Sequence, residues 1–122
     1  MILADSSVWI DHLRQSNPRL FALLDEARIL MHPFVLGEVA LGSIRNRDVV
    51  LHSLRRLPEL LPARHVEVME FIERHQLHGS GMGFVDVHLL AAIRLRAGTR
   101  LWTRDRRLHG VAARFGVAVH DA

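Results

Sequence analysis

Four of the thirteen acidic residues in this 122-residue chain occupy unusual positions. Glu38 sits among Phe34, Val35, Leu41 and Gly42 at helical neighbour spacing, and Asp86 among Met82, Gly83, Leu89 and Leu90. Neither has a cation three or four positions away. A carboxylate under apolar cover is costly unless a cation reaches it or it takes up a proton. Asp5 and Asp105 follow the short apolar runs Ile2-Leu3-Ala4 and Leu101-Trp102-Thr103 and begin helical segments, where aspartate also serves as an N-cap. If those runs are parallel strands, their carboxyl ends are where ligands bind. Two acids at strand ends and two on covering helices then converge, and carboxylates sharing a pocket raise one another's pKa until a cation joins them. Oxygen donors in a chain without cysteine suit Mg²⁺ or Mn²⁺. Such an ion activates water and offsets phosphoryl charge, which is what phosphodiester hydrolysis requires.

The remaining acids have simpler readings. Asp11 precedes Arg14, Asp25 precedes Arg28 and Glu70 precedes Arg74 at the spacing of local helical ion pairs. Glu67 and Glu73 fall on a wet helix face, and Asp121 lies in the tail.

The elements that must position the four acids alternate. Short strands are expected at residues 1–4, 29–31, 60–61, 99–103 and 117–119, with helices at 6–14, 18–27, 33–44, 47–57, 64–76, 83–97 and 106–115. In the helix at 64–76, Val66, Met69, Phe71 and Ile72 form the apolar side. This alternation predicts one α/β domain over residues 1–122, with a mainly parallel central sheet and helices on both faces. A composition 49% apolar and 24% charged excludes disorder.

All sixteen basic residues are arginine, so any mechanism needing a catalytic lysine is excluded. That removes a receiver module and a dehalogenase-type phosphatase, which also wants an acid where Ser7 stands. No glycine-rich turn follows the first strand, against a dinucleotide or P-loop fold. No His-Glu-x-x-His helix exists, against a zinc hydrolase. His88 is given no role. No basic leader or membrane-length apolar run is present, so the cytoplasm is the expected compartment and no membrane partner is expected.

The acids also carry a family pattern. Ile2-Leu3-Ala4-Asp5-Ser6-Ser7-Val8-Trp9-Ile10, Val35-Leu36-Gly37-Glu38-Val39-Ala40-Leu41-Gly42, Phe84-Val85-Asp86-Val87-His88-Leu89-Leu90-Ala91-Ala92 and Leu101-Trp102-Thr103-Arg104-Asp105-Arg106 occur in order. Together they resemble the PIN-domain nucleases, and within them the VapC toxins of bacterial toxin–antitoxin pairs. The resemblance implies a three-layer PIN-like fold and Mg²⁺- or Mn²⁺-dependent endoribonuclease activity. It makes Asp5, Glu38, Asp86 and Asp105 metal ligands, with Ser6 and Thr103 as orienting hydroxyls. It also implies a VapB-like antitoxin, a homodimer and a toxin–antitoxin hetero-oligomer. Arg106 and Arg107 stand where some relatives carry another acid, which bears on a second metal site. A housekeeping RNA-processing nuclease without an antitoxin, and a binding-only protein with a degenerate site, are the alternatives.

Arginines recur in clusters, and a phosphate-gripping rim is one reading of them. Arg104 and Arg106, flanking Asp105, are the preferred RNA contacts. The helices at 33–44 and 47–57 are candidate walls for the antitoxin, through Ile44, Val50 and Leu54.

Overall fold

The computed structural model describes residues 1–120; Asp121, read above as a tail charge, lies outside them. Strand β1 (Ile2–Ala4) leads into α1 (Ser6–Arg14) and α2 (Pro18–Asp25), then β2 (Ile29–Leu30), α3 (Pro33–Leu41) and α4 (Arg47–Arg55). Helix α5 (His65–His75) and α6 (Phe84–Arg94) follow, then β3 (Arg100–Trp102) and α7 (Arg106–Arg114).

The three strands are parallel in the order β2-β1-β3, with Leu3 opposite Leu30 on one side and Leu101 on the other. Successive strand residues point to opposite faces. Leu3 and Ala4, Ile29 and Leu30, and Leu101 and Trp102 are all buried, so both faces of the sheet are covered. The expected three-layer α/β arrangement is therefore present.

The outermost strands are reduced to single bridges, Met31 with Glu59 and Leu101 with Ala118. The first of these uses residues 58–60, where the sequence suggested 60–61. Met31 donates to the Pro58 carbonyl at 2.8 Å and accepts from the Leu60 N–H at 2.8 Å.

Two helices, α3 and α6, stop three residues earlier than their apolar patterns suggest. Helix α3 ends at Leu41 because Gly42 turns to extended backbone, ψ 168°, while its N–H still reaches the Val39 carbonyl at 3.0 Å. Helix α6 ends at Arg94, before the left-handed Gly98. Helix α5 is rotated from the expected orientation: Val68 is its buried residue, Phe71 and Ile72 are half-buried, and Val66 and Met69 are exposed. No helix among the described residues is long and apolar enough to cross a membrane.

The chain leaves β1 for β2 on one side and later returns to β3 on the other. The carboxyl end of β1 is thus the switch point where open parallel sheets bind ligands.

Candidate active site

Asp5 occupies that point. It N-caps α1, and Oδ1 accepts from the N–H groups of Ser7 at 3.0 Å and Val8 at 3.3 Å. The Ser7 hydroxyl donates to the same oxygen, while the Thr103 hydroxyl donates to Oδ2. Asp5 is only 5% exposed, and burial raises its carboxyl above the usual 3.8 despite these donors.

Thr103 directly follows β3 and also accepts from the Asp105 N–H at 3.0 Å. Asp105 is exposed and N-caps α7, accepting from the N–H groups of Arg107 at 2.9 Å and Leu108 at 3.0 Å. The N-cap readings of Asp5 and Asp105 are both correct. They also leave the two acids at neighbouring strand ends, with helix amino termini behind them.

Glu38 is half-buried on α3 and accepts from the Ser6 hydroxyl at 3.0 Å. Asp86, in the first turn of α6, accepts from the Gly83 N–H at 3.4 Å. Its carboxyl is raised above 3.8 chiefly by burial, opposed by the Gly83 bond and reinforced by the charges of Asp5, Asp105 and Glu38. Asp86 therefore lies within the electrostatic field of the other three acids. Among the described residues, none of them forms an ion pair with an arginine.

As the side chains stand, no group of three or more Asp, Glu or His among the described residues is close enough to hold a metal ion directly. The donor chemistry nevertheless fits a hydrated divalent cation. Mg²⁺ keeps several waters and takes only one or two carboxylates directly, and the carboxylates of Glu38, Asp86 and Asp105 retain acceptor sites.

Ser7 belongs to the site but escaped the sequence reading. Its hydroxyl donates to Asp5, accepts from the Arg104 N–H at 3.0 Å and lies 3.5 Å from the Thr103 hydroxyl. Its spacing two residues after an N-cap aspartate was the available signal. Arg104 itself is paired with Asp11, Nε to Oδ2 at 2.6 Å, which displaces the local Asp11–Arg14 pairing expected from spacing. Of the other two expected pairs, Arg28 instead meets Glu26, at 4.0 Å. Arg106 is exposed at the start of α7, and Arg107 donates to the Gly81 carbonyl at 3.4 Å.

Of the residues named as antitoxin contacts, Leu54 is buried in the core, while Ile44 and Val50 are half-buried. Ile44 lines a groove of about 540 Å³ with Ile10, Leu13, Val39, Gly42 and Arg45. The groove begins one helical turn beyond the Ser6–Glu38 bond, since Ile10 follows Ser6 and Gly42 follows Glu38 by four residues.

A family model for the PIN domain matches residues 2–114. Ribonuclease VapC32 of Mycobacterium tuberculosis, in strains CDC 1551 / Oshkosh and ATCC 25618 / H37Rv, is 48% identical over 121 residues. The match covers 99% of this chain and 98% of the relative.

Proposed function

This chain belongs to the PIN-domain family, and from that premise we propose that it is a metal-dependent endoribonuclease, the toxin of a type II toxin–antitoxin pair. The observation that carries the reading is that Asp86 lies within electrostatic reach of Asp5, Asp105 and Glu38, with no arginine paired to any of the four among the described residues. A full-length likeness to a protein named as a VapC ribonuclease supports it further. Asp5, Glu38, Asp86 and Asp105 hold Mg²⁺ or Mn²⁺, directly or through water. When bound, the ion supplies an activated water and charge neutralisation at the phosphoryl group.

The chain's own side chains do the positioning. Ser7 and Thr103 fix both oxygens of Asp5, Ser6 fixes Glu38, and the Gly83 N–H fixes Asp86. Burial of Asp5 keeps its side water-poor, and the amino termini of α1, α6 and α7 present positive dipole ends to the acids. Residues 1–122 act as one unit in the cytoplasm, where the RNA is. A VapB-like antitoxin lies along the groove between α1 and α3, within a hetero-oligomer built on a toxin homodimer.

Sequencing of RNA 5′ ends after brief expression tests the activity, with Asp5→Asn and Asp86→Asn as controls. The expected result is new ends that vanish in both variants and with chelator. Ends that persist in the variants overturn the site. Growth arrest relieved by a DNA-binding protein from a neighbouring reading frame supports the toxin role. Cleavage without arrest favours a housekeeping nuclease.

A further inference from the structure

Five aromatic and imidazole rings run in sequence beside the acids. His32 meets Phe34 at 5.2 Å between centroids, Phe34 meets His88 at 4.8 Å, His88 meets Phe84 at 4.7 Å, and Phe84 meets His65 at 5.9 Å. All four contacts are edge-to-face. The imidazoles of His32 and His88 are buried, whereas Phe34 is 39% and Phe84 47% exposed. His88 is thus wedged between two phenyl rings that both reach solvent.

Those rings belong to the helices that carry the acids. Phe34 precedes Glu38 by four residues of α3, about 6 Å along the axis, and so shares its face. Phe84 begins α6, two residues before Asp86. Both phenyl rings contact His88 edge to face while each keeps a large share of its surface open to solvent.

Of the arginines around Asp105, Arg104 is paired with Asp11 and Arg107 donates to the Gly81 carbonyl, while Arg106 is exposed. Charge contacts hold the phosphate backbone, and seating the bases calls for a different kind of surface. Bases stack on aromatic rings with little sequence preference and strengthen single-strand binding substantially.

We propose that Phe34 and Phe84, braced by His88, form a base-stacking platform for the nucleotides flanking the scissile phosphate of single-stranded RNA. The platform rests on the ribonuclease reading and adds to it the residues that seat the bases of the RNA.

The test uses the full chain carrying Asp86→Asn, so that RNA is bound without being cut, and a short labelled oligoribonucleotide of mixed sequence. Phe34→Leu and Phe84→Leu should each weaken binding about tenfold, read by fluorescence anisotropy. Abasic nucleotides beside the cleavage position should cause the same loss with both rings intact, and little further loss in the double variant. The abasic arm keeps the test informative if a leucine variant unfolds. Affinity indifferent to the rings and to abasic positions overturns the platform. So does a double variant that light scattering shows to have lost a dimer while abasic RNA binds normally, because the rings then serve a second copy. Ring-dependent binding by a chain whose native Asp86 form cuts no RNA keeps the platform and removes the nuclease reading.

Discussion

Thr103 and Asp5 are ninety-eight positions apart in the chain, yet the threonine hydroxyl donates directly to the buried aspartate. The same oxygen accepts from the Asp105 N–H, so one side chain couples two of the four acids and the ends of two neighbouring strands. Valine has the shape of threonine and neither capacity. Thr103→Val should cost about 1–3 kcal/mol in chemical denaturation and lower cleavage about tenfold or more. Thr103→Ser should retain most of both. Equal stability of Thr103→Val and the parent would show that the bond contributes nothing.

Asp86 makes a prediction about pH in the absence of divalent ions. Burial and the three neighbouring acids raise its folded-state pKa above the ordinary 3.8. A carboxyl shifted this way favours folding below 3.8, and that contribution is lost as pH rises through the folded value. The melting temperature of Asp86→Asn minus that of the parent should therefore increase as pH climbs from about 4 towards neutrality. Added Mg²⁺ should raise the parent more than the variant. A difference that is flat with pH would count against the shared field.

His32 should produce the opposite slope. It is fully buried, its Nδ1 accepts from the Phe34 N–H at 3.0 Å, and burial, helped by His88, lowers its pKa from 6.5 to about 4. Its neutral form is the one that folds, so its contribution is intact above 6.5 and disappears as pH falls towards 4. The loss amounts to about 3 kcal/mol at most. His32→Asn keeps an N-cap acceptor and cannot titrate, so denaturation profiles at pH 7 and pH 5 should converge for this variant relative to the parent.

The Asp11–Arg104 pair is partly exposed on both sides, so Asp11→Asn should change stability by less than about 1 kcal/mol. Its effect should fall on RNA instead. A released Arg104 should tighten oligoribonucleotide binding about threefold at low salt, and the gain should fade as salt rises. Adding Arg104→Ala should cancel it. Tightening that survives Arg104→Ala would place the effect elsewhere.

The acids were legible in the sequence because their anomaly is local. A lone carboxylate in an apolar stripe, as at Glu38 and Asp86, needs no structure to look expensive, and an aspartate between a strand and a helix, as at Asp5 and Asp105, has few roles. What escaped was whatever depends on distant partners. Helical spacing can offer Asp11 only Arg14, but the turn after β3 brings Arg104 to it. Ser7 looked like an ordinary first-turn residue until Arg104 and Thr103 arrived beside it. Periodicity found α5 and placed Phe71 and Ile72 on its inner side, but it took Val66 and Met69 where Val68 is buried, because these neighbours offer two competing stripes. The edge strands were faint for a related reason: a single bridged residue, as at Glu59 or Ala118, leaves almost no pattern to read.

The strand order also sets a schedule for synthesis. The middle strand of the sheet leaves the ribosome before either of its neighbours, and β3, Thr103 and Asp105 emerge after both β1 and β2. Translation at about 5–20 residues per second leaves a nascent chain that already holds Asp5, Glu38 and Asp86 with no Thr103 to tie the first of them down. The groove helices α1 and α3 emerge well before that moment. The surface between α1 and α3 is thus made before the acidic cluster can be completed.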